Sequence, residues 1–219
     1  MIRRLLVLFA GCCVTVLFSG CAAPTKQIDY SAFKASRPHS ILVLPPLNES
    51  PDIRATYSVL SQVTYPLAEA GYYVLPVAVV DETFRQNGLT VPADIHEVKS
   101  EKLRQIFGAD AALYLAVSEY GSRYMVISSV TTVAVKAKLV DLRSGDTLWT
   151  GTAQAANDSS ANSSGGVIGM LLNALVTQVI NQSTDAAYGV AGMVSIKLLS
   201  AGQPAGILYG PRSPKYGSD

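Results

Sequence analysis

Two histidines are the first candidates for acid–base or metal chemistry in this sequence of 219 residues. His39 and His96 lie far apart, and only His96 has carboxylates beside it, in Asp94–Glu97, "DIHE". These side chains belong to one short stretch, and no second cluster completes a coordination shell. Asp81 and Glu82 suit the start of a helix better than a catalytic pair. We therefore interpret Asp94–Glu97 as a surface loop and predict neither a metal nor a cofactor.

A glycine-rich stretch, Ser163–Leu171 ("SSGGVIGML"), is the second candidate, because glycines before a helix can expose backbone N–H groups to a phosphate. The stretch lacks the Lys-Ser/Thr pair of a P-loop and does not directly follow a parallel strand. It continues the polar segment 157–166, "NDSSANSSGG", which indicates a linker. No nucleophile-elbow motif is present, so the sequence predicts no catalytic residue.

The net charge of +1 indicates no attraction to nucleic acid or to acidic substrates. The first 20 residues instead indicate export. Arg3 and Arg4 precede an apolar run, Leu5–Phe18, which is shorter than the ~20 residues of a spanning helix and has the length of a signal-peptide core. We predict that residues 1–20 form a signal peptide. Its removal also removes Cys12 and Cys13, so the mature chain has no pair of cysteines for a disulfide.

The small residues Ser19 and Gly20, directly before Cys21, resemble the lipobox of bacterial lipoproteins. In that family the cysteine is acylated and becomes the mature N-terminus, with palmitate among its acyl chains. The following Ala22 differs from the aspartate of inner-membrane retention, so the resemblance implies an outer-membrane anchor with the domain in the periplasm or at the cell surface. The alternative is an ordinary cleaved signal peptide.

Three segments are predicted after the signal peptide: a lipidated flexible tether over residues 21–39, an α/β domain over 40–200 and a Gly/Pro-rich tail over 201–219. The domain opens with "SILVLPPL", whose apolar run around Ile41 is typical of a strand buried on both faces. A helical pattern follows over Ala55–Ala70, with a kink or restart expected at Pro66.

Further elements alternate in type. Tyr72–Val80 is interpreted as a strand that Pro76 stops or displaces to an edge of the sheet. Ser100 is interpreted as the cap of a helix that turns Leu103, Ile106 and Phe107 inward before Gly108. A third strand begins at Ala111. Strands separated by helices favour parallel pairing by right-handed crossovers.

The pattern then alternates between apolar and polar residues through Val140 and turns at Ser144–Gly145, which predicts an antiparallel hairpin. The fold class is therefore α/β, one domain of two or three layers, with a βαβαβ parallel part and a hairpin in a mixed sheet. Residues predicted to be buried are Leu42, Val43, Leu115 and Trp149.

The segment Val167–Ile180 is apolar around most of its helical circumference. About 14 residues are too few to span a bilayer, so its second face needs cover from the C-terminal segment or from another subunit. We favour a homo-oligomer. The candidate interface residues are Leu171, Leu172, Leu175, Val176 and Val179.

Five segments taken together resemble a family of bacterial outer-membrane lipoproteins of unassigned function that has neisserial members. That family is similar to the N-terminal domain of TolB and the periplasmic domain of CsgG. The resemblance implies a docking or accessory module in envelope transport or assembly, not an enzyme, with an unidentified envelope protein as partner. The alternative is a periplasmic hydrolase or a ligand-binding lipoprotein. The segments are "SILVLPPLNES", "QVTYPLAEAGYYVLPVAVVDETFRQNGL", "FGADAALYLAVSEYG", "KLVDLRSGDTLWTG" and "LLSAGQPAGILYGPRSPKY".

The lipidation site gives the first prediction. Replacing the thiol in Cys21→Ser should abolish incorporation of labelled palmitate and release or mislocalise the protein while leaving its fold intact, since the side chain that would carry the acyl chains is gone. Cys12→Ser is the matched control and should label normally. Label retained by Cys21→Ser would show that the site is wrong.

Overall fold

The computed structural model describes residues 28–124, 129–157, 186–202 and 204–219. Cys21 and the predicted helix 167–180 lie outside these ranges. The helices are α1 (Ser31–Ser36), α2 (Ala55–Gln62), α3 (Thr64–Glu69), α4 (Val77–Gln86), α5 (Pro92–His96), α6 (Ser100–Phe107) and α7 (Ala186–Leu199). The strands are β1 (Ser40–Val43), β2 (Leu47–Asn48), β3 (Tyr73–Val74), β4 (Ala111–Tyr124), β5 (Ser129–Asp141) and β6 (Thr147–Asn157).

These strands form one mixed sheet in the order β3-β1-β4-β5-β6, with β2 also paired to β4. Strand β1 is parallel to β3 and β4, with Ile41 opposite Val74 on one side and Ala111 on the other. Strands β4, β5 and β6 are antiparallel. The predicted mixed sheet, including its parallel strands near residues 41, 74 and 113, is therefore confirmed.

Helices cover both faces of the parallel part, which gives three layers. Ile41 and Val43 of β1 pack into one apolar core with α2, α3 and α7. Leu42 and Leu44 point the other way, into a second core with α4, α5 and α6. The alternation follows from the two-residue period of a strand. All four residues predicted to be buried are at most 2% exposed, namely Leu42, Val43, Leu115 and Trp149.

The predicted hairpin joins β5 to β6 through the turn at Ser144–Gly145. Gly145 has φ +79°, a left-handed conformation that glycine adopts without strain. In the sheet Leu139 lies opposite Trp149, and a register shift next to this pair brings both Leu148 and Trp149 into the core.

The strand predicted over Tyr72–Val80 is confirmed as a short edge strand that ends before Pro76, and its continuation to Val80 is wrong. Only Tyr73–Val74 pairs in the sheet, and helix α4 already begins at Val77. Pro76 stands at the N-cap of α4, where its missing N–H costs no hydrogen bond. Asp81 is consequently inside the helix rather than at its start.

Of three smaller expectations, one is confirmed and two need correction. The helix predicted over 55–70 restarts as expected, but at Val63, and Pro66 lies within the first turn of α3, where proline is tolerated. Lys99, not Ser100, is the N-cap of α6, and Ile106 is 48% exposed instead of inward. Asp94–Glu97 is not a loop, because Pro92–His96 forms α5.

The N-terminal tether is shorter than predicted, because the described chain packs on the domain from Tyr30 onward. Phe33 on α1 and Tyr30 are buried in the core. The Tyr30 hydroxyl donates to the Gly206 carbonyl oxygen at 2.6 Å. The hydroxyl of Ser36 donates to the Asp141 carboxylate. Residues 30–39 thus belong to the folded domain.

The C-terminal segment is likewise part of the fold. Ile207 is 1% exposed, and the buried Tyr72 hydroxyl donates to the Leu208 carbonyl oxygen at 2.6 Å. The backbone of Gly210 approaches Gly71 so closely that a Cβ at position 210 would lie 2.6 Å from the Gly71 carbonyl group. This segment packs over the end of the sheet where β1 begins at Ser40 and β3 begins at Tyr73. We name this end of the sheet the pole.

This close approach gives a stability prediction. Gly210→Ala should lower the free energy of unfolding by about 1–3 kcal/mol, because backbone atoms must move to admit the methyl group. Gly192→Ala in α7 is the control. Its Cβ would meet only the Gln62 side chain at 3.5 Å, and alanine gains up to about 1 kcal/mol in a helix. Urea unfolding of both variants measures the difference, and equal effects would contradict the proposed packing.

A second prediction concerns Asp141. Burial acts to raise the pKa of its carboxyl, but hydrogen bonds from Ser36 and from the backbone N–H groups of Arg143 and Ser144 outweigh burial, so the pKa lies below its ordinary value. The stabilisation is therefore present at neutral pH and is lost as the pH falls below about 4.

Asp141→Asn should remove about 1–3 kcal/mol of unfolding free energy at pH 7 and flatten the acid side of the stability profile. Chemical unfolding between pH 3 and 7 is the measurement. Asp146→Asn, an exposed carboxylate in the same turn, is the matched control. The interpretation fails if both variants respond alike to acid.

Candidate docking surface

The residues singled out from the sequence are not brought together into an active site in the described structure. Cys21 and the predicted interface leucines and valines lie outside the described ranges. His39 is exposed, and its backbone N–H, not its ring, donates to the Asp110 carboxylate at 3.0 Å. Within the described ranges, no group of three His, Cys, Asp or Glu side chains could hold a metal ion.

His96 has a structural environment. Its Nε2 lies 2.9 Å from the Pro45 carbonyl oxygen, and its ring meets Tyr114 edge-on with 5.2 Å between centroids. Burial lowers the pKa of the imidazole, which favours the neutral ring. The contacts fasten α5 to the link between β1 and β2, and they explain why the histidine is half-buried.

Four exposed apolar and aromatic side chains lie in the turn before α2 and on the outer surfaces of α2, α3 and α7. They are Ile53 (88% exposed), Tyr57 (55%), Tyr65 (63%) and Tyr188 (37%). We name these four residues the tyrosine stripe. Tyr57 lies four residues before Ser61 on α2, and the Ser61 and Tyr188 hydroxyls lie 3.5 Å apart. Tyr65 lies in the first turn of α3. The stripe thus joins the outer surfaces of separate helices.

The orientation of α2 is set by the buried side chains and hydrogen bonds on its inner face. Val59 is fully buried against the sheet. The Thr56 hydroxyl donates to the Pro46 carbonyl oxygen at 3.2 Å, and the Tyr120 hydroxyl donates to the Ser58 hydroxyl at 2.8 Å. With these residues turned inward, the helical period turns Tyr57 outward. The sequence interpretation followed the inward residues and missed the excess of large side chains on the outer face.

A concave region lies along the outer edge of β6, beside the loop that follows α7. Its volume is about 760 Å³. Trp149 donates from Nε1 to the Ala205 carbonyl oxygen at 3.0 Å, and this contact closes one end of the concave region. Lys197 donates to the Gln154 carbonyl oxygen at 3.2 Å and so satisfies an acceptor of the edge. Part of this edge is therefore already covered, whereas the tyrosine stripe has no cover among the described residues.

No helix in the described ranges is long and apolar enough to cross a bilayer.

Comparison with known proteins places this fold in a family. The sequence profile described as "Putative lipoprotein GNA1162-like" matches residues 28–212. "Putative lipoprotein NMB1124/NMB1162" of Neisseria meningitidis serogroup B is 51% identical over 206 residues, which cover 94% of this chain and 95% of that protein.

One solved structure agrees with the family match. The crystal structure of lipoprotein GNA1162 from Neisseria meningitidis is 57% identical, has a TM-score of 0.55, and covers 66% of this chain and 99% of its own. A weaker likeness, at 17% identity and a TM-score of 0.43, is to the PelC dodecamer from Paraburkholderia phytofirmans, over 79% of this chain and 91% of that one. Because the profile spans most of the chain and the neisserial relative shares half of its residues, this chain belongs to the GNA1162-like lipoprotein family.

Proposed function

We propose that this protein is a non-enzymatic lipoprotein of the outer membrane that acts as a docking or accessory module in envelope transport or assembly. The single observation that supports docking is the tyrosine stripe, in which Ile53, Tyr57 and Tyr65 are each more than half exposed. Aromatic residues are enriched at protein interfaces, and a contiguous exposed apolar patch typically marks an interaction site.

The anchor in this proposal is the acylated thiol of Cys21. Two or more acyl chains hold a protein stably in a bilayer without help from basic residues, which suits a chain with a net charge of +1. Membership of a lipoprotein family supports an envelope location. Ala22 after the cysteine supports the outer membrane as the destination.

The first partner of the tyrosine stripe in this proposal is a second copy of the chain. Segment 167–180, which directly precedes α7 in the sequence, is apolar around most of a helical circumference and needs cover. The stripe, which includes Tyr188 near the start of α7, needs cover as well. Pairing the two surfaces between copies would satisfy both needs. An envelope protein of the transport or assembly machinery would then bind the oligomer.

Sedimentation of the chain beginning at Ala22 tests the oligomer. At roughly 50 µM we expect a dimer or larger species, and about tenfold or greater weakening in Tyr57→Asp and in Leu172→Glu, because each places a charge in a desolvated contact. Val91→Asp is the matched control, since Val91 is 50% exposed and lies before α5, in the opposite helix layer.

The outcomes separate the parts of the proposal. A monomeric wild type, unchanged by Leu172→Glu, contradicts the oligomer. An oligomer that Leu172→Glu disrupts and Tyr57→Asp does not would show that the copies meet elsewhere than at the stripe. Weakening by Val91→Asp as well would point to a general effect of added charge.

A further inference from the structure

Helix α1 and the C-terminal segment enclose a pocket at the pole with a volume of about 490 Å³. We name it the pole pocket and define it by five of its lining residues: Lys34, Arg37, Tyr209, Tyr216 and Asp219. Its interior wall includes the buried aromatic rings of Phe33 and Tyr72. An apolar, aromatic cavity with a few charged groups at its rim is the usual form of a small-ligand site.

The charges of the pole pocket lie on separate walls and do not neutralise one another. Lys34 and Arg37 belong to α1 and its C-cap, whereas Asp219 belongs to the C-terminal segment and accepts a hydrogen bond from the Tyr209 N–H at 2.8 Å. Within the described part of the chain, no carboxylate lies within 4.0 Å of either cation. A pocket with two cations on one wall and a carboxylate on the other matches a ligand that carries both an anion and a cation.

The backbone of Arg37 is a second, independent observation. Its φ of +46° is the one left-handed value among the described residues other than glycine. Glycine or asparagine normally occupies this position at the end of a helix because other side chains are strained there. The chain instead has an arginine, which brings a guanidinium to the rim of the pocket. Strain retained at a cavity rim is a recognised mark of a functional position.

The tyrosine rings supply a place for a cationic group. The Lys215 ammonium already lies 5.5 Å from the centroid of the Tyr209 ring, so this wall attracts positive charge. The Tyr216 side chain is 46% exposed beside it. An ammonium group of a ligand could therefore contact an aromatic face and the Asp219 carboxylate together.

We propose that the pole pocket binds the zwitterionic phosphoethanolamine headgroup of a phospholipid, with the phosphate diester at Lys34 and Arg37 and the ammonium at Asp219 and Tyr216. A guanidinium suits phosphate oxygens because it can donate two parallel hydrogen bonds. The cations of the pocket, Lys34 and Arg37, follow Ile28 by six and nine residues, so a lipid at Cys21 would keep the pocket near the membrane surface. This last link rests on the proposed function.

Calorimetric titration of the full acylated chain in a maltoside detergent tests the proposal. The probes are glycerophosphoethanolamine, glycerophosphoglycerol and inorganic phosphate. We expect glycerophosphoethanolamine to bind tightest, and its affinity to fall about tenfold or more in Arg37→Gly and in Lys34→Gln. Asp219→Asn should weaken glycerophosphoethanolamine and leave glycerophosphoglycerol unchanged, because only the former carries an ammonium. Lys102→Gln in α6, on the opposite helix layer, is the control and should bind like the wild type.

Arg37→Gly also distinguishes a lost ligand contact from a damaged fold. Glycine relieves the left-handed strain, so the unfolding temperature of this variant should stay the same or rise while binding is lost. Equal binding of inorganic phosphate and glycerophosphoethanolamine, or wild-type affinity in Arg37→Gly, would overturn the proposal. The probes are soluble and need no anchor, so failure of binding and failure of lipidation at Cys21 are separate results.

Discussion

The fold depends on β4, which is paired along both of its edges and packed on both of its faces. Residues 111–113 pair with β1 on one side and with β5 on the other, and residues 116–117 continue the same arrangement with β2 and β5. Ala111, Ala112 and Leu113 are fully buried. A buried strand with an unpaired edge would leave backbone groups without partners at a cost of about 1–3 kcal/mol each. Both the parallel layer and the long hairpins must therefore be in place before β4 is stable.

How well each element could be predicted depends on where its partners lie in the sequence. Strands β5 and β6 show a two-residue period and a local Ser144–Gly145 turn, so their pairing could be predicted from neighbouring residues alone. Tyr72–Val80 was misread because β-branched valines favour strands in general, whereas here Val80 packs against the second core as part of an amphipathic helix. Helix α1 was missed because one aromatic, Phe33, provides its burial within a polar segment.

The two candidate surfaces could not be predicted for different physical reasons. The tyrosine stripe lies on the outer side of helices whose inner side dominates the hydrophobic pattern, and a pattern does not show which of two apolar faces will be left uncovered. The pole pocket brings Lys34 and Arg37 next to residues 209–219. No local sequence pattern predicts that segments so far apart in the chain lie together. A hydrogen bond between two residues that line this pocket, from the Tyr72 hydroxyl to the Leu208 carbonyl oxygen, spans 136 positions in the sequence. Cys21, by contrast, could be singled out from the sequence, because its candidate role depends only on adjacent residues.

Anchoring at Cys21 would also restrict how copies of the domain can meet. The seven peptide units from Cys21 to Ile28 extend to at most about 25 Å, so the pole would stay close to the bilayer. In a symmetric oligomer all anchors enter the same leaflet, and the symmetry axis must then be perpendicular to the membrane. Only surfaces on the sides of the domain can meet around such an axis. The tyrosine stripe is one of these surfaces, because α2 and α3 pack on one face of the sheet and α3 ends at Glu69, two residues before Gly71 at the pole. The proposed lipid site in the pole pocket and the proposed protein contact at the tyrosine stripe would therefore not compete for the same surface.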